Sequence, residues 1–97
     1  KYYLFVRQEK LKNRWDRNRI MTELIDNGIP CFNTYGGEIY LDEAFVATNL
    51  RPSHRLPVAQ ALGETCLQFL VPPTLTDDDL SDSFHTIANT LTRVNSP

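Results

Sequence analysis

From Thr76 to Val94 the chain places apolar side chains at Leu80, Phe84, Ile87, Ala88, Leu91 and Val94. Steps of three and four residues put them on one stripe of a helix. Such a stripe is stable only against another apolar surface, so the rest of the chain must supply one. Thr76 precedes the stripe as a capping residue whose hydroxyl can accept from the free amides of the first turn. Asp77, Asp78 and Asp79 follow, where negative charge complements the positive end of the helix dipole. Adjacent helical residues point in different directions, so the three aspartates read as helix-start chemistry and not as a metal site.

Three short apolar runs are candidates for the opposing surface. Tyr2 to Arg7 (YYLFVR) is almost continuously hydrophobic and is expected to be a strand buried on both faces, central in a sheet. Ile29 to Asn33 (IPCFN) and Cys66 to Val71 (CLQFLV), the latter closed by Pro72-Pro73, are expected as two more strands. Between them, Arg14 to Asn27 reads as a helix with Ile20, Met21, Leu24 and Ile25 on one face, stopped by Asn27-Gly28. Glu38 to Phe45 reads as a short helix with Tyr40, Leu41, Ala44 and Phe45 inward, and Val46 to Ser53 as irregular. Leu56 to Thr65 reads as a second long helix with Pro57 in its first turn and an apolar face of Val58, Ala61 and Leu62. Strand, helix, strand, short helix, helix, strand, helix makes an α+β fold.

With 97 residues, 41% apolar and 23% charged, the chain fits one globular domain spanning 1–97 with a thin core, not a disordered tail. Ten basic and twelve acidic residues give a net charge of −2, which does not favour wholesale nucleic-acid binding. No apolar run reaches the roughly 18 residues of a membrane span, so no membrane partner is expected. The opening KYYLFVRQEK has neither an initiator Met nor a signal peptide's apolar core, and a piece of a longer protein is the expectation.

Cys31 and Cys66 form no paired motif and are expected as buried thiols. His54 and His85 stand at no metal-ligand spacing and are expected at or near the surface; neither a metal site nor a catalytic set is expected in the chain. Two segments could carry binding chemistry. Asn33 to Tyr40 (NTYGGEIY) gathers an amide, hydroxyls, a carboxylate and phenols around Gly36-Gly37, although an ordinary polar turn fits the same composition. Arg14, Arg17 and Arg19 belong to a basic first fifth holding seven of the ten Lys and Arg residues, and read as a phosphate-binding patch or as a solvated face.

Several features in order carry a family resemblance: YYLFVR; a helix ending ELIDNGIP; a loop with Thr34-Tyr35; and RLPVAQALGETCLQFLVPPTLTDDDL. The chain resembles the C-terminal small domain of the DegT/DnrJ/EryC1/StrS sugar aminotransferases, from Tyr2 to about Val94. The resemblance implies a small, mostly antiparallel three-stranded sheet with helices packed on one face. It implies a parent protein using pyridoxal phosphate to move an amino group, from glutamate, onto a nucleotide-linked keto-sugar in the cytoplasm, for surface polysaccharides or antibiotics. The cofactor and its lysine would lie in a missing N-terminal large domain, since Lys1, Lys10 and Lys12 match no such motif. No cofactor is therefore expected in this chain, which alone would be inactive; the full-length protein would be a homodimer. Many relatives carry a His-Tyr pair after the second strand to hold the nucleotide-sugar. Tyr35 keeps that phenol, whereas Thr34 lacks the imidazole. The substrate-binding residues so implied are Tyr35 first, then Thr34, Asn33 and Glu38. The rival expectation is a free-standing ferredoxin-like module that binds a small ligand or another protein.

Overall fold

The computed structural model describes residues 1–33 and 38–96. Its sheet has three strands, β1 (Tyr2–Phe5), β2 (Cys31–Asn33) and β3 (Cys66–Phe69), in the order β1-β3-β2, with both pairings antiparallel. Tyr2 lies opposite Phe69 and Phe5 opposite Cys66 on one side of β3, and Cys31 opposite Phe69 and Asn33 opposite Leu67 on the other. Four α-helices accompany the sheet: α1 (Arg17–Asp26), α2 (Glu43–Thr48), α3 (Pro57–Thr65) and α4 (Asp77–Val94). The fold is α+β, as the residue pattern implies.

Alternation along the strands sorts the sheet into two unlike faces. One carries Leu4, Cys31, Leu67 and Phe69, and against it pack Ile20 and Leu24 of α1 and Ile87, Leu91 and Val94 of α4. Ile20, Leu24, Leu67 and Val94 are fully enclosed, and this is the core. The other face carries Tyr3, Phe5 and Phe32, which remain 48%, 51% and 47% exposed. The expectation of a central, doubly buried first strand is therefore corrected. β1 is an edge strand, and its continuous hydrophobicity reflects a second apolar face on which Tyr3 and Phe5 stay about half exposed while Cys66 is buried.

The other departures have local causes. The first helix begins at Arg17 rather than Arg14: Arg14 adopts a left-handed φ of 70°, and the Asp16 side chain caps the helix by accepting from the Arg19 amide at 2.8 Å. Asn27-Gly28 ends it as expected, with Gly28 at φ 85°. The short helix expected at 38–45 is split into a 3-10 turn (Ile39–Leu41) and α2 by an extended Asp42, and it buries no side chain. α3 spans nearly the expected residues, yet Val58 and Leu62 of its apolar face point to solvent. In α4 the Thr76–Asp79 capping box is complete, each side chain bonding the other residue's amide at 3.1 Å. Only the later part of its stripe is packed: Ile87, Leu91 and Val94 join the core, whereas Leu80 and Phe84 stay 43% and 67% exposed.

Candidate functional site

Of the four residues implied to bind substrate, Thr34 and Tyr35 lie outside the described residues. Asn33 ends β2, exposed. Glu38 stands at the start of the excursion that leads to α3, and its surroundings are the most organised polar arrangement among the described residues. The Arg55 guanidinium grips the Glu38 carboxylate with two groups, Nε donating to Oε2 at 2.9 Å and Nη2 donating to Oε1. The Tyr40 hydroxyl donates to Glu38 Oε2 at 2.7 Å and accepts from the Leu56 amide at 2.8 Å.

The chemistry of this clasp follows from its geometry. A two-pronged guanidinium–carboxylate pair is directional as well as ionic. The hydrogen bonds from Arg55 and then from Tyr40 hold the Glu38 carboxyl below its ordinary range. Partial desolvation, followed by the bond to Glu38, raises the Tyr40 phenol, and the bond to Glu38 strengthens the proton affinity of Arg55. The Glu38 side chain is only 11% exposed, and both of its oxygens are engaged. The arrangement can fix a backbone and present one face of Arg55 outward. It holds no free base or nucleophile.

The candidate segment Asn33 to Tyr40 held Glu38 and Tyr40 but not Arg55. Arg55 carries no motif, and the pairing joins positions 17 residues apart across the 3-10 turn and α2. The one available signal was an acidic and a basic residue at the two ends of that segment.

Of the two readings of Arg14, Arg17 and Arg19, the phosphate-binding patch is not the one the structure assembles. Arg17 turns inward, its Nη1 donating to the carbonyls of Gly63 and Cys66, both at 2.9 Å, where it serves the C-terminal end of α3. Arg19 lies over the Trp15 ring, 4.0 Å from its centre. A polar groove of about 400 Å³ runs between α1 and α4, lined by Glu23, Asn27, Thr86, Asn89, Thr90 and Arg93, with Glu23 and Arg93 paired across it. It includes neither Asn33 nor Glu38. No cluster of three metal-ligating side chains occurs among the described residues, and no described helix is long and apolar enough to cross a membrane.

Comparison with known proteins adds one finding of weight. The chain is similar to a solved aminotransferase. That crystal structure, of the aminotransferase from Psychrobacter cryohalolentis, is 44% identical over 95% of this chain, with a TM-score of 0.85. The chain spans only 23% of that protein's length. No protein-family model matches the chain, and no curated protein does.

Proposed function

We propose that this chain is the C-terminal small domain of an aminotransferase that uses pyridoxal phosphate and acts on a nucleotide-linked keto-sugar. The similarity to the Psychrobacter aminotransferase carries the reading, because near-complete coverage of this chain at 44% identity accompanies coverage of less than a quarter of that one. The ordered resemblance from YYLFVR to the acidic start of α4 supports the sugar-aminotransferase family. Asn33, Thr34, Tyr35 and Glu38 remain the residues proposed to face the substrate, with Glu38 acting through the clasp.

The described residues do not make a cofactor site. Pyridoxal phosphate requires an amine for its aldehyde, a cradle for its phosphate and a partner for its ring nitrogen. Lys12 is committed to the end of α4, its Nζ donating to the Arg93 carbonyl at 2.8 Å, and Lys1 and Lys10 are exposed. No such set converges among the described residues; in this proposal the cofactor lies in the remainder of the parent, a cytoplasmic homodimer.

The test is the native gene product. An antibody to this chain should detect, in its own cells, a band several-fold heavier than 11.2 kDa. The purified species should carry bound cofactor absorbance and aminate a nucleotide-linked keto-sugar with glutamate as donor. A band at 11.2 kDa without cofactor would sink the reading and leave a ligand-binding module.

A further inference from the structure

Residues 38–56 stand apart from the body of the fold. None of them is buried, and Ile39, Leu41, Val46 and Leu50 are among the exposed apolar side chains. Among the described residues, every hydrogen bond made by residues 38–55 stays within 38–56, and none reaches the sheet, α1 or α4. The chain's radius of gyration is 16.0 Å, against about 13 Å for a compact domain of this size, so the chain is more open than a compact body. The excursion holds the 3-10 turn and α2, and its two ends meet. Here the ends meet at the clasp: Arg55 to Glu38 twice, and the Leu56 amide to the Tyr40 hydroxyl.

We propose that residues 38–56 form a strap latched at its neck by Glu38, Arg55 and Tyr40, which releases as one unit when the guanidinium–carboxylate pair is broken while the body stays folded. The inference stands on this geometry and not on the proposed enzymatic role. The latch has the makings of a two-state element, because three of its bonds converge on the one Glu38 carboxylate and the Tyr40 hydroxyl links it to the Leu56 amide. The charged and titratable groups facing it are few: Glu38, Tyr40 and Arg55 themselves, and Glu64 of α3, whose charge bears on Arg55. Glu64 is turned toward Gln60, whose amide donates to it at 3.0 Å, which leaves Glu38 as the carboxylate bonded to Arg55.

Hydrogen exchange on the whole 97-residue chain tests this. Glu38→Gln keeps the side chain's size and removes its charge. The expected result is exchange across 39–56 faster by roughly tenfold, the scale of one charge-assisted hydrogen bond, with β3, α1 and the last turns of α4 unchanged. Tyr40→Phe should accelerate the Leu56 amide most and the strap less. Three results overturn the proposal: wild-type amides in 39–56 already exchanging as an unprotected chain, no acceleration in either variant, or equal acceleration of strap and sheet.

Discussion

Gly28 is the residue whose backbone decides most with least. Its φ of 85° closes α1 and turns the chain toward β2, while nothing lies within 4 Å of where a Cβ would stand. Gly28→Ala should therefore destabilise the fold through backbone strain alone, by about 1–2 kcal/mol, without a steric clash; urea unfolding measures it. Two carboxylates make stability depend on acid. Glu38 is held low by Arg55 and then Tyr40, and Asp79 by the Thr76 amide and then the Thr76 hydroxyl. Because their folded values lie below the unfolded ones, both stabilise fully above the ordinary carboxylate range. That stability is lost as pH falls through their depressed values. A melting-temperature profile should fall on the acid side, and Asp79→Asn together with Glu38→Gln should flatten it. At Cys31 burial raises the thiol, which donates to the Met21 carbonyl at 3.7 Å, so a thiol reagent should leave it unmodified until denaturant is added. It cannot pair with Cys66, which points to the other face of the sheet.

At the scale of elements, helices were legible where chemistry is local and illegible where it depends on what lies opposite. The α4 cap was readable from Thr76 and the aspartates because a capping box is written within four residues. Thr76→Ala should cost about 1 kcal/mol of stability, checked by thermal unfolding. The burial of the α4 stripe was only half readable. Leu91 and Val94 meet the sheet whereas Phe84 does not, and spacing alone says nothing of how far a sheet extends. β1 misled for the same reason: a run apolar on both sides implies two covered faces, and among the described residues Tyr3 and Phe5 on the second face stay about half exposed. Leu24→Ala removes a fully enclosed side chain between α1 and the sheet and should cost about 2–5 kcal/mol, most of what a small domain has. Of the candidate site, Glu38 was legible as a polar residue beside a glycine pair. Arg55 was not, because only the folded excursion brings it there.

For the whole molecule, the contrast between the two sheet faces dominates. Tyr3, Phe5 and Phe32 form an aromatic surface opposite the core, and Leu70 and Val71 extend the exposed apolar area. The isolated chain should bind a hydrophobic dye such as ANS in its folded state, and Tyr3→Thr with Phe5→Thr should lower that fluorescence while the circular dichroism persists. The strand order has a consequence in time. Both outer strands hydrogen-bond only to β3, which comes last of the three in the chain. Tyr2 meets Phe69 and Phe5 meets Cys66, so β1 has no partner until more than sixty further residues exist. At translation rates of about 5–20 residues per second, that interval is about 3–13 s. Throughout it the stretch YYLF is an unpaired apolar strand on a growing polypeptide, the kind of segment that chaperones bind and that aggregates when they do not.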